Sequence, residues 1–292
     1  MSSLTDKTNI QWFPGHMTKT LRTIEQDIKG IDVVLMLLDA RIPLSSMNPE
    51  LERLCAAKPR IYLLNKSDLA DPAVTREWVR VLKKEETRAI ALNSKNKGGI
   101  QAVKADIDAA LGEVLERRAQ KGMQGAKIRV MVCGIPNVGK STFINTFAGG
   151  HRAKAADRPG VTRGKQWIAT DQYDLLDVPG VLWKKFENRQ VANNLAFIGS
   201  IKDDLLDTEE IASTLLDEVK EHYGQALQER FKLPQTALEL PGYELLEQIA
   251  RRRGMLISGG EADTQRASVM VLDEFRASKL GRISLERPQN EG

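Results

Sequence analysis

Gly134-Ile135-Pro136-Asn137-Val138-Gly139-Lys140-Ser141 carries the most specific chemistry in this chain. The spacing G-x-x-x-x-G-K-S lets a glycine-rich turn point backbone N–H groups at phosphate oxygens, and the helix that follows adds partial positive charge at its start. Lys140 reaches the terminal phosphates and the Ser141 hydroxyl suits magnesium. Asn137, Val138, Gly139 and Thr142 complete a phosphate cradle. A second stretch, Asp177-Val178-Pro179-Gly180, offers a carboxylate for magnesium and a glycine amide able to sense the terminal phosphate. Alone, D-x-x-G is an ordinary turn. Downstream of a phosphate loop it gains meaning.

A third stretch selects the base. In Asn65-Lys66-Ser67-Asp68 the Asp68 carboxylate can accept from both N1–H and the 2-amino group of guanine, a pairing that adenine cannot offer. Asn65 ties such a loop together, and the aliphatic stem of Lys66 covers one face of the base. Asn93-Ser94-Lys95 places a backbone amide for guanine O6 and a second lysine stem for the other face. The expected ligands are therefore GTP and GDP with magnesium.

These residues need elements to hold them. The apolar pattern alternates short strand-like runs with longer helical ones, which predicts an α/β fold with a mostly parallel sheet flanked by helices. Residues 33–38, 61–64, 90–92 and 128–133 read as buried strands, and 166–169 with 173–176 as a hairpin. Helices are predicted over 72–84, with Pro72 at the first helical position, over 100–117 and over about 140–148. Met17, Leu21, Ile24 and Ile28 fall on one further helical stripe. Residues 118–127 read as a linker. After about residue 205 the strand signal fades; Asp207 with Glu210 starts a helix through Tyr223, Gly254 stops another behind Arg251-Arg252-Arg253, and a third spans 263–278. The expected division is thus a nucleotide-binding domain over 1–205 and a small, mainly helical domain over 206–292.

The motif order is unusual, because base reading precedes the phosphate loop and D-x-x-G comes last. That is a circular permutation, tolerable when the original termini lie close together at the surface and a flexible joint connects them. It places D-x-x-G beside the helical domain, so a loop that moves with the terminal phosphate would pull on its neighbour.

Composition sets the outer bounds. The 292 residues are 41% hydrophobic and 28% charged, and no apolar run approaches the roughly 18 residues of a membrane span. Residues 1–7 lack the apolar core of a secretory signal, so a cytoplasmic protein with no membrane partner is expected. Cys55 and Cys133 read as small buried hydrophobes in a reducing compartment. Residues 1–205 hold 32 Lys and Arg against 23 Asp and Glu, and residues 206–292 hold 11 against 16. The basic part favours a polyanion, which is as true of a nucleotide as of RNA.

On these motifs the chain resembles the circularly permuted ribosome-assembly GTPases of the ribosome biogenesis GTPase A family. The likeness extends to Trp12-Phe13-Pro14-Gly15-His16-Met17, Asp39-Ala40-Arg41, Arg158-Pro159-Gly160-Val161-Thr162 and Ser258-Gly259-Gly260. It implies GTP hydrolysis coupled to late maturation of the large ribosomal subunit, with the subunit precursor and its rRNA as partners and the protein acting as a monomer. It also implies that Thr162 completes the magnesium shell, that Asn137 helps place potassium, and that His16 orients the attacking water. An imidazole that caps its helix or packs on RNA fits His16 equally well. Val181 stands where many GTPases carry a water-orienting glutamine, so hydrolysis is expected to be slow alone and stimulated by the subunit. Arg251, Arg252, Arg253, Arg266, Arg276, Lys279 and Arg282 form either an RNA-binding face or a solvated helical surface. Trp12 and Phe13 fit a core as well as a base stack, while His151 and His222 read as surface residues. A regulatory GTPase with a protein effector and a non-hydrolysing RNA scaffold are the rival functions.

Overall fold

A computed structural model describes residues 15–84, 87–122, 125–149, 165–182 and 188–289. Its six strands are β1 Val33–Asp39, β2 Arg60–Asn65, β3 Thr87–Ala91, β4 Ile128–Gly134, β5 Gln166–Ala169 and β6 Tyr173–Asp177. They form one sheet in the order β3-β2-β1-β4-β6-β5, parallel throughout except for the β5–β6 hairpin. β1 is buried at every one of its residues, as befits a strand covered on both faces. β5 is exposed except at Ile168, as befits an edge. Six helices accompany the sheet: α1 Gly15–Asp27, α2 Pro43–Ser46, α3 Pro49–Cys55, α4 Pro72–Leu82, α5 Gly98–Gln120 and α6 Lys140–Phe147. The expected apolar stripe of α5, Ile100, Val103, Ile107 and Leu111, is buried.

Two local expectations shift. β3 starts at Thr87, which pairs with Arg60, rather than near residue 90. α5 continues to Gln120 into the stretch read as linker, because Arg117 and Arg118 complement the negative end of the helix and Arg118 pairs with Asp32, Nη2 to Oδ1 at 2.5 Å. The chain then turns at Gly122, where φ is +72°.

The chain divides into two compact units, one of Met1–Asp68, Pro72–Phe186 and Glu286–Gly292, the other of Leu69–Asp71 and Glu187–Leu285. The second unit therefore starts earlier than residue 206. The reason is α7, Arg189–Phe197, which packs on α8, Thr208–Phe231, and on α10, Thr264–Arg276; α9 is Gly242–Arg252. α8 begins as expected, with the Asp207 carboxylate accepting from the Glu210 N–H at 3.1 Å. It runs beyond Tyr223 to Phe231, bending where Tyr223 leaves helical geometry (φ −129°, ψ 26°). No described helix is long and apolar enough to cross a membrane. Cys55 and Cys133 are buried free thiols.

Candidate functional site

Because β1, β2, β3, β4 and β6 run in parallel, their last residues Asp39, Asn65, Ala91, Gly134 and Asp177 share one edge of the sheet. The chain steps outward one way from β1 through β2 to β3, and the other way from β4 to β6. The reversal between β1 and β4 opens the crevice in which parallel sheets bind ligands. The glycine-rich stretch leaves β4, which borders it, and the other two motif stretches leave the next strands outward, β2 and β6.

The glycine-rich loop is shaped by backbone that side chains would spoil. Gly134 has φ +154°, and a Cβ there would lie 2.6 Å from the Leu37 carbonyl oxygen. Gly139, at φ +98°, turns the chain into α6, and Asn137 adopts φ +59°. Lys140, the first residue of α6, is buried. Burial lowers its pKa, against the charge of the Asp177 carboxylate, which raises it. Ser141 and Thr142 are exposed in the first turn of the same helix, and Asp177 is buried at the end of β6.

Gly180 lies against this loop, since a Cβ on it would sit 2.7 Å from the Pro136 nitrogen. The next residue, Val181, is fixed from both sides: its N–H donates to the Gly134 carbonyl at 3.2 Å and its carbonyl accepts from Asn48 Nδ2 at 2.8 Å. The Val181 side chain is fully buried and orients no water. Asn48 also caps α3 through Oδ1, which accepts from the Glu50 and Leu51 N–H groups. Nothing in the motif reading pointed to Asn48, although an asparagine before a proline at a helix start signals the cap.

The base-reading loop is tied to both neighbours. Asn65 Nδ2 donates to the Val138 carbonyl at 2.7 Å, while its Oδ1 accepts from the Ser94 N–H at 2.9 Å and from Ser94 Oγ at 2.7 Å. Thr146 of α6 donates to the Ser94 carbonyl at 2.6 Å, and Asn93 Oδ1 accepts from the Lys95 N–H at 2.9 Å. Lys66, at φ +58°, donates to the Asn137 carbonyl at 2.7 Å. Asp68 and Lys95 are exposed. Asn65, Lys66, Ser94, Asn137, Val138, Gly139, Lys140, Asp177 and Gly180 thus belong to one constellation.

His16 lies in the first turn of α1, but its side chain is outside the described residues, as are Trp12, Phe13, His151 and residues 158–162 with the expected switch residue Thr162. In the helical unit the arginines are largely engaged in the fold. Arg276 donates to the Ala196 and Phe197 carbonyls at 2.9 and 3.0 Å and to both oxygens of Asp203 at 2.7 Å. Arg282 donates to the Ala70 carbonyl at 2.9 Å, Arg251 pairs with Glu247 at 2.7 Å, and Arg253 lies over the Phe231 ring. Among the described residues no cluster of three His, Cys, Asp or Glu side chains could hold a metal. A carboxylate at Asp177 and a hydroxyl at Ser141 are nevertheless the hard oxygen donors that suit a magnesium ion carried by phosphates.

Residues 129–234 match a family model described as 50S ribosome-binding GTPase. Ribosome biogenesis GTPase A of Bacillus cereus is 41% identical over 284 residues, 97% of this chain and 95% of its own. The protein of the same name from Thermotoga maritima is 29% identical over 96% of this chain and 95% of its own. Solved structures of Thermotoga maritima YlqF bound to GNP and of a GDP-bound YlqF superpose with TM-scores of 0.63 and 0.67 at 27% identity. They cover 93% and 91% of this chain and 99% of their own.

Proposed function

Given that the chain belongs to the ribosome biogenesis GTPase A family, whose members hydrolyse GTP in ribosome biogenesis, we propose that it acts late in maturation of the large subunit. It binds the subunit precursor and its rRNA in the GTP state and leaves after hydrolysis. The observation that carries the nucleotide half of this reading is Asn65, which holds the base loop, the phosphate loop and the Ser94 loop together with a single side chain. The family model's description as a 50S ribosome-binding GTPase supports the ribosomal half.

In this reading Asp68 selects guanine with help from the Asn93-Ser94-Lys95 turn, and Lys140 with the amides of residues 137–142 grips the phosphates. Ser141, Asp177 and Thr162 would hold magnesium, which offsets the charge that develops on the transferring phosphoryl group. Asn137 would hold potassium. The Gly180 amide reports the terminal phosphate. A buried Val181 leaves the attacking water without a partner from that position, so His16 orients it, and turnover is slow until the subunit completes the site. The protein works as a monomer in the cytoplasm.

The test is co-sedimentation with purified large subunits under a non-hydrolysable GTP analogue, GDP or no nucleotide, paired with turnover assays in magnesium and potassium. Retention in the GTP-analogue state together with faster turnover supports the reading. Equal absence from the pellet in all three states removes the subunit, and turnover that subunits leave unchanged removes stimulation. Normal stimulated turnover in His16→Ala removes His16 from the chemistry.

A further inference from the structure

Asp39-Ala40-Arg41 stands at the centre of the carboxyl edge and takes no part in the reading above. Asp39 ends β1, beside Asn65 of β2 in register, while Leu37 of the same strand pairs with Gly134 of β4. Its side chain is fully buried and Arg41 almost so. Oδ1 accepts from the Arg41 N–H at 3.1 Å and from Nε at 2.9 Å, and Oδ2 accepts from Arg41 Nη2 at 2.8 Å. Arg41 alone is enough to neutralise this carboxylate. A second cation reaches the same oxygen: Lys66 Nζ lies 3.1 Å from Oδ2.

We propose that Asp39 is the positioning residue for Lys66, holding that side chain across the base loop and the phosphate loop before guanine binds. The proposal rests on the reading that Lys66 covers the base. Lys66 Nζ is seated between Asp39 Oδ2 and the Asn137 carbonyl, at 3.1 and 2.7 Å, so its four-carbon stem is stretched along a fixed line. A lysine left free has rotamer entropy to lose when it orders. Anchoring the ammonium at both sides removes most of that cost from the binding step. Both ends of the Lys66–Asn137 hydrogen bond have left-handed backbone, φ +58° and +59°, though neither residue is glycine. Such strain persists where the surroundings over-determine it, and it gathers at ligand clamps. Arg41, in turn, bonds both oxygens of the carboxylate and sets its plane. Burial opposes ionisation of Asp39, but Arg41 and Lys66 outweigh it and hold its carboxyl well below the usual carboxylate range. The anchor is therefore charged whenever the protein is folded near neutral pH.

The experiment is a double-mutant cycle on the full chain, reading GDP affinity by calorimetry for the parent, Asp39→Asn, Lys66→Met and the pair. Asparagine keeps the size of the anchor and drops its charge. The expected result is a loss of about tenfold for each single change and about the same tenfold for the pair, because Asp39 acts only through Lys66. Losses that multiply to about a hundredfold overturn the proposal and make Asp39 a support of the fold at large. The cycle is run as well with Asp39→Glu, which keeps the charge and moves it by one methylene, so that failure of the asparagine variant to fold does not end the test. A Lys66→Met protein with unchanged GDP affinity overturns the base-covering reading itself, whereas a Lys66 effect with no Asp39 effect overturns this inference alone.

Discussion

Lys66 and Arg276 are both cations gripped by an aspartate and by backbone carbonyls, yet they sit on backbone of opposite character. Lys66 bonds Asp39 and the Asn137 carbonyl from a left-handed residue on a loop. Arg276 bonds Asp203 and the carbonyls of Ala196 and Phe197 from the last turn of a regular helix. In the second case the cation sits at the negative end of α7, adding a donor to the Phe197 carbonyl and a second one to Ala196, which already accepts from the Gly199 N–H. Helix geometry and charge agree, so the contact explains itself as stability. In the first case the backbone is strained, and no element gains from it. The carboxyl edge of the sheet is shaped for something that binds there, and the arginines of the helical unit are shaped for the unit itself.

The largest effect that bears on this contrast is expected at Lys140. Lys140→Ala removes a buried ammonium whose low pKa follows from burial, and with it the charge-assisted bonds to phosphate. GTP and GDP affinity should fall by roughly a thousandfold, about 4 kcal/mol, while the melting temperature stays or rises because a buried charge has gone. Calorimetry and a thermal melt read the two halves. Unchanged affinity would break the assignment of this edge to phosphate.

Asp68→Asn should cost roughly a hundredfold in GTP affinity and shift preference toward xanthine nucleotides, since the amide donates where the carboxylate accepted. Competition between GTP and XTP measures it. A variant that still discriminates against XTP would remove Asp68 from base reading and leave Lys66 without a base to cover.

Much of this edge was legible because its signals are local. The glycine-rich stretch, D-x-x-G and N-K-x-D each announce themselves over a few residues, and continuous apolar runs gave β1, β2 and β4 their places. What joins them was not legible. Asp39 and Lys66 are far apart in sequence and meet only because β1 and β2 pair in parallel. Asn48 reaches Val181 across an even longer stretch of chain. The basic residues of the tail show the mirror image. Their charges are visible in sequence, but Glu274, Asp203 and the carbonyls at the end of α7 that engage them are not. α7 is short, with Val191 and Leu195 one turn apart, and its start is marked by Asn188, which caps it through the Gln190 N–H at 2.8 Å.

Arg276→Ala sharpens the contrast from the other side. It takes a donor from the Phe197 carbonyl and from Asp203, while the Ala196 carbonyl keeps the Gly199 N–H at 3.0 Å, and should cost about 2 kcal/mol of stability. GTP turnover per folded molecule should stay at the parental value, with stability read by urea titration and turnover by phosphate release. A turnover loss that exceeds the loss of folded protein would mean that this cation serves the chemistry too.

The smallest effect concerns the other buried ion set of the helical unit. Glu274 accepts from Arg230 Nε at 2.8 Å and Nη2 at 2.5 Å, with Arg253 at 3.8 Å. The Arg230 hydrogen bonds outweigh burial and hold its carboxyl below the usual value, with the charges of Arg230, Arg253 and Lys279 adding to them. A carboxylate whose pKa is lower folded than unfolded contributes its full stability above the unfolded pKa and loses it as pH falls through the folded one. The Arg230 side chain is 35% exposed, so solvent screening limits the contribution to about 1 kcal/mol. Glu274→Gln should therefore melt a few degrees below the parent near about pH 7, and the gap should close on acidification below about pH 4, as the parent's own carboxylate takes up its proton. Calorimetric melts across that range measure the gap. A gap that stays constant in acid would assign the loss to shape rather than charge, and the helical unit would then owe less to its ion pairs than their geometry implies.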